Sequence, residues 1–126
     1  MRQLLDTHTF IWFVMGNPRI STRVRTQIEN NENLLSTASI WEMAIKQSTG
    51  KLNFSLPFRV FISQQLRVNN IGILEINLDH IEVVASLPLH HRDQFDRLII
   101  AQGIVEHIPI LSVDSVFDAY AIARLW

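Results

Sequence analysis

Four short apolar runs recur along this chain, none alternating with polar residues, and helix-like stretches separate them. A strand with one wet face alternates apolar and polar side chains, whereas a strand buried on both faces does not. The runs are Leu4-Leu5, Leu34 to Thr37, Ile71 to Ile76 and Pro109 to Val113. Between and after them the spacing predicts helices over Thr7–Met15, Ser21 to about Asn30, Ser39–Ser48, Pro57–Val68, Asp79 to just before Pro88, Asp93–His107 and Ser115–Ala123. Gly16-Asn17-Pro18 breaks the first helix, and Gly50 follows the third. Strands joined through helices become parallel, with helices on both faces of the sheet. The expectation is a three-layer α/β/α fold with a short-stranded central parallel sheet, one domain over residues 1–126.

Composition narrows the function. A length of 126 residues suits one core, and 48% hydrophobic against 18% charged residues is the opposite of a disordered chain. Cysteine is absent, which excludes disulfides, thiolate metal sites and cysteine nucleophiles. No apolar run approaches the roughly 18 residues of a membrane span. Asp6 and His8 interrupt the stretch from Leu4 to Met15, so an export signal is not expected. The apolar surplus favours self-association or a protein partner, and the Phe58, Phe61, Ile62, Leu66 face is the candidate surface, with core packing as its alternative.

The informative residues are acids at element ends. Asp6 follows the first apolar run and Asp114 the fourth. Ligands of open α/β sheets bind at the carboxyl ends of the strands. An Asp there also caps the following helix, so either role suits Asp6 taken alone. Glu42 completes a capping box, Ser39-Ile40-Trp41-Glu42, and the same box places it in a first helical turn above that sheet edge. Asp93 and Asp96 share a face at the start of the sixth helix, where the helix dipole favours negative charge. Apolar Leu98-Ile99-Ile100-Ala101 follows them.

Asp6, Glu42, Asp96 and Asp114 can converge at one sheet edge. Clustered carboxylates repel one another, and one takes up a proton unless a cation intervenes. Hard oxygen ligands suit Mg²⁺ or Mn²⁺, the ions of phosphodiester cleavage.

These residues fall in four stretches that resemble the PIN-domain ribonucleases of the VapC type, toxins of bacterial toxin–antitoxin pairs. The stretches are Leu4-Leu5-Asp6-Thr7-His8-Thr9-Phe10-Ile11-Trp12, Ser36 through Lys46, His91-Arg92-Asp93-Gln94-Phe95-Asp96-Arg97 through Gln102, and Leu111-Ser112-Val113-Asp114 through Tyr120. They stand in the family's order and span almost the whole chain. The resemblance implies a PIN-like fold, cleavage of RNA with Mg²⁺ or Mn²⁺, a homodimer and a cognate antitoxin, and the absence of cysteine fits the expected cytoplasmic, membrane-free protein. It places Asp6, Glu42, Asp96 and Asp114 on the family's acidic metal positions, Asp93 on an extra acid of this branch, and Ser112 on a small hydroxyl residue beside the last acid. Gln94 stands where the branch has proline, which predicts a less rigid helix start with the site intact.

Supporting residues have two readings each. His91 and Arg92 form a loop before the acids that can contact phosphate or stay solvated. Arg97 can orient a carboxylate or grip a phosphate in bidentate fashion. Lys46 can form an ordinary helix pair with Glu42, balance the acids or touch RNA. His8 reads as structural, and Trp12, Trp41, Phe117 and Tyr120 as packing residues. The formal charge of −1 argues against a nucleic-acid partner until the acids are sorted. With Asp6, Glu42, Asp93, Asp96 and Asp114 set aside, seven acids face 11 cations, a mildly basic remainder. The leading rival is a PIN-like domain that binds RNA or an antitoxin without cutting. A phosphoacceptor or aspartyl-phosphate phosphatase fits less well, because Glu42 and the Asp93/Asp96 pair sit on helices.

Overall fold

The structure, a computed structural model, describes residues 1–126. Five strands, β1 (Arg2–Leu5), β2 (Glu32–Ser36), β3 (Gly72–Leu74), β4 (Ile110–Leu111) and β5 (Arg124–Leu125), form one sheet in the order β3-β2-β1-β4-β5. Every pairing is parallel. Six α-helices accompany it: α1 (Thr7–Val14), α2 (Thr22–Glu29), α3 (Thr37–Ser48), α4 (Phe58–Val68), α5 (Leu78–Ser86) and α6 (Gln94–Glu106). None is long and apolar enough to cross a membrane.

The unalternating strands explain the layers. Successive strand side chains point to opposite faces. Leu5, Leu35 and Leu111 face one way, into a core with Phe10 and Phe13 of α1, Val24 and Ile28 of α2, Met43 of α3 and Phe61, Ile62 and Leu66 of α4. Leu4 and Ile110 face the other way, against Phe95, Ile99 and Ile100 of α6. Register aligns the two sets, with Leu4 opposite Leu34 and Ile110, and Leu5 opposite Leu35 and Leu111. The apolar face of α4 is therefore core, and the reading of it as a partner surface does not hold.

Two more expectations change. The 3-10 turn Ser115–Ala119 replaces most of the expected last helix, and β5 follows it as a fifth strand. A strand of two residues is too short for any period to announce it. The expected Ser39 box does not form either. β2 ends at Ser36, whose own hydroxyl accepts from the Ala38 N–H at 3.0 Å and caps α3. Ser39 lies inside the helix, and Glu42 in its second turn. Likewise Asn77, not Asp79, caps α5, in a reciprocal pair with His80.

Gly103 lets α6 lie close on the sheet. A Cβ there would stand 2.9 Å from Ile110 Cδ1 and 3.1 Å from Cγ1, and Ile110 is fully buried. Overpacking of this kind costs about 1–3 kcal/mol. Gly103→Ala is therefore expected to lower the urea midpoint although alanine is the better helix former; an unchanged midpoint would mean that the layer absorbs the methyl group.

Candidate metal centre

The chain runs from β1 to β2 and β3 on one side of β1, then returns to place β4 on the other side. That reversal between β1 and β4 opens the crevice in which such sheets bind ligands. Asp6 directly follows β1, and Asp114 stands three residues beyond Leu111 of β4.

Asp6 is 5% exposed and does both things expected of it. Its Oδ1 accepts the Thr9 N–H at 2.7 Å, capping α1. Its Oδ2 accepts the hydroxyl hydrogen of fully buried Ser112. The same Ser112 oxygen accepts the Asp114 N–H at 3.0 Å, so one hydroxyl couples the ends of the two central strands. Hydroxyls also fix the neighbouring helices. Thr9 Oγ1 donates to the Leu111 carbonyl at 3.0 Å, and Thr7 Oγ1 donates to Ser39 Oγ at 2.9 Å, holding α1 to β4 and to α3.

Glu42 is buried on α3. Its Oε2 pairs with Lys46 Nζ at 3.0 Å, one helical turn on, while Oε1 is buried with no hydrogen-bond partner. Lys46 also lies 3.4 Å from His8 Nε2. Asp93 caps α6, accepting the Phe95 and Asp96 N–H groups on Oδ1, each at 2.9 Å. Asp96 follows in the first turn of α6. Asp114 Oδ1 caps the 3-10 turn through the Val116 N–H at 3.0 Å.

The closest set of ligand atoms belongs to His91, Asp96 and Asp114, all within 4.8 Å of one another. His91 Nε2 lies 2.9 Å from Asp96 Oδ2 and 3.2 Å from Asp114 Oδ2. Its Nδ1 accepts the Asp93 N–H at 3.3 Å, which assigns the ring hydrogen to Nε2 in the neutral imidazole. Asp6 and Glu42 do not join that tight set. They act on it electrostatically: burial first, then the charges of Asp93, Asp6, Glu42 and Asp114, push the Asp96 carboxyl up to about 8.

A divalent cation fits this arrangement. The donors are carboxylate oxygens, a set suited to a hard ion, and the His91 Nε2–H lies within hydrogen-bond reach of two of them. The partnerless Glu42 Oε1 and the mutually repelling acids are what positive charge would satisfy.

The supporting residues divide. Arg92 is exposed and free of such contacts, while Lys46 forms the helix pair at the rim of the acids. Arg97 neither orients a carboxylate nor points a free fork at a phosphate. Its guanidinium donates to the carbonyls of Leu87 and Pro88 at 3.1 Å, His91 at 3.2 Å and Val84 at 3.4 Å. One residue on from Asp96 is about 100° around the helix, toward α5 rather than the acids. Tyr120, read as packing, also bonds to this loop: its hydroxyl donates to the Pro88 carbonyl and accepts the His90 and His91 N–H groups. The available signal was chemical, since a buried phenol needs hydrogen-bond partners.

A family model described as the PIN domain matches residues 4–123. No curated protein matches in sequence. Among solved structures, the chain resembles one in VapBC2 from Rickettsia felis bound to a DNA fragment of its promoter, with TM-score 0.75, 14% identity and coverage of 99% of this chain and 98% of that one. It resembles a chain of a toxin–antitoxin complex from Klebsiella pneumoniae at TM-score 0.65 and 14% identity, over 98% and 96% of the two chains. A chain of FitAcB from Neisseria gonorrhoeae matches at TM-score 0.70 and 16% identity, over 98% and 96%. At these identities the likeness is one of fold.

Proposed function

The chain belongs to the PIN-domain family, and from that premise we propose that it is a metal-dependent endoribonuclease, the toxin of a VapC-type toxin–antitoxin pair. The observation that carries this reading is the convergence of acids at the β1/β4 crevice, sharp enough to raise the Asp96 carboxyl to about 8. Asp6, Asp96 and Asp114 would hold Mg²⁺ or Mn²⁺ directly or through water, with the His91 Nε2–H orienting the Asp96 and Asp114 carboxylates. When bound, such an ion offsets charge developing on a scissile phosphate and eases deprotonation of the attacking water.

The chain's own groups supply the rest. Glu42 Oε1, the oxygen without a partner, ligates or orients the attacking water, while Lys46 keeps the other oxygen in place. Ser112 fixes the rotation of Asp6 through its hydroxyl, and Asp93 fixes the start of α6 so that Asp96 faces the crevice. Exposed Arg92 is the cation of the crevice rim free to meet RNA phosphate. No side chain needs to act as a covalent nucleophile.

An antitoxin partner is supported at the level of fold by the Klebsiella pneumoniae toxin–antitoxin complex, which is analogy rather than site chemistry. A homodimer in the cytoplasm completes the proposal.

The test is cleavage of RNA by the purified protein. Cleavage is expected with Mg²⁺ or Mn²⁺ and not in EDTA. Asp6→Asn is expected to be inactive yet folded, because asparagine still accepts the Thr9 N–H. Full activity in Asp6→Asn, or cleavage that survives EDTA, would refute the assignment.

A further inference from the structure

His91 sits on a segment, Pro88 to His91, that belongs to no strand or helix. Its imidazole is nevertheless aimed between Asp96 and Asp114. The backbone N–H groups of His90 and His91 find no backbone acceptor. Both donate instead to the Tyr120 hydroxyl, at 2.9 Å and 2.6 Å, and that hydroxyl donates to the Pro88 carbonyl at 2.8 Å. One donor and two acceptor sites are all that a phenol has, and all three are engaged on this one segment. The Tyr120 ring is 7% exposed, packs among the α6-side core residues and meets the His90 ring edge-on at 5.3 Å.

We infer that Tyr120 is a positioning residue: by holding the His90–His91 backbone from the 3-10 turn, its hydroxyl sets His91 Nε2 against Asp96 and Asp114. This rests on the reading of the crevice as a metal centre, and it adds a residue that contacts neither the acids nor a cation. Arg97 grips the same segment from α6 through the Leu87, Pro88 and His91 carbonyls. The two latches share the Pro88 carbonyl and otherwise act on different atoms. Arg97 holds carbonyls and leaves the two N–H groups to Tyr120. With Nδ1 engaged by the Asp93 N–H, fixing the backbone also fixes which nitrogen faces the carboxylates.

Tyr120→Phe keeps the ring and removes only the oxygen, stranding the His90 and His91 N–H groups, while the Pro88 carbonyl keeps its bond from Arg97. In the metal-free protein the ring Nε2–H of His91, seen by ¹⁵N NMR, is expected to be sharp and slowly exchanging in the wild type and broadened or lost in Tyr120→Phe. Mn²⁺ affinity, followed by electron paramagnetic resonance, is expected to fall about tenfold, in the range of about 10–100-fold typical of groups that orient ligands. In a His91→Ala background the same substitution is expected to change Mn²⁺ affinity less than twofold, since there is no imidazole left to position.

An unchanged His91 signal in folded Tyr120→Phe would overturn the inference, and so would an equal loss of Mn²⁺ affinity with and without His91. If Tyr120→Phe does not fold, 3,5-difluorotyrosine at position 120 keeps the hydroxyl while weakening it as an acceptor, and a shifted His91 signal is expected. The NMR measurement needs neither metal nor RNA. Failure of the wild type to bind Mn²⁺ or cut RNA would therefore count against the proposed function and leave the Tyr120 result standing on its own.

Discussion

Asp96→Asn is expected to abolish RNA cleavage and, in the absence of a cation, to raise the melting temperature. Both effects come from the same carboxylate. Asp96 lies 23% exposed at the start of α6, facing His91, and is surrounded by the charges of Asp93, Asp6, Glu42 and Asp114. Asparagine has the same shape and keeps an oxygen for the His91 Nε2–H. On the proposed reading it loses the charge that would hold a cation, so the drop in rate should exceed the roughly 100-fold seen for groups that merely orient ligands. The stability effect has the opposite sign. The carboxyl is held at about 8 in the folded protein against 3.8 as the ordinary value, so the unfolded chain gives up this proton more readily. Ionisation then favours unfolding progressively from about pH 4 to about pH 8, and asparagine removes that driving force. The gain in melting temperature should be absent below about pH 4 and fully developed above about pH 8. Scanning calorimetry in EDTA at several pH values, beside RNA cleavage by the same preparations, checks both halves. A variant that is inactive and less stable at pH 8 would mean that Asp96 is structural.

The three layers were legible because the physics behind them is local. Leu4-Leu5 and Ile110-Leu111 are apolar at adjacent positions, and adjacent strand residues face opposite ways, so both sheet faces had to be covered. The acids were legible for a related reason: a charge placed straight after a buried strand has few structural roles beyond capping. Asp6 also shows that capping and a place in the crevice are not alternatives, since Oδ1 caps α1 while Oδ2 accepts the Ser112 hydroxyl that ties the ends of β1 and β4 together. What could not be read depended on neighbours distant in sequence. Ser36 and Ser39 are equally good caps on paper, and only the end of β2, set by pairing with β1 and β3, chooses Ser36. β5 exists because Arg124 and Leu125 complete the edge beside β4, and two residues carry no period. Arg97 looked like a phosphate ligand by residue type, and its position beside α5 turned it into a latch for carbonyls. The central place of His91 between Asp96 and Asp114 required the loop that Tyr120 holds, a contact across 29 residues of chain.

Cation binding should reverse the pH dependence of stability. In EDTA the wild-type melting temperature is expected to fall as pH rises from 6 to 8, because over that range the folded protein keeps the Asp96 proton and the unfolded chain does not. A bound Mn²⁺ needs Asp96 ionised, so binding displaces the proton and tightens as pH approaches about 8. A ligand at 100 times its dissociation constant adds about 2.7 kcal/mol of stability. The increment from Mn²⁺ should therefore be small at pH 6 and largest near pH 8, where it opposes the loss seen in EDTA. Calorimetric titrations of Mn²⁺ in buffers of different ionisation enthalpy should show release of close to one proton per ion at pH 7, falling toward none at pH 9. Asp96→Asn should show no such release and a flatter melting curve against pH in EDTA, which assigns the coupling to this carboxyl. An Mn²⁺ increment equal at pH 6 and pH 8, or proton release unchanged in Asp96→Asn, would assign the coupling to another group. On the proposed reading, the same repulsion that weakens the metal-free fold would give the crevice its affinity: five acids gathered at one sheet edge are tolerable either with a proton on Asp96 or with a cation among them.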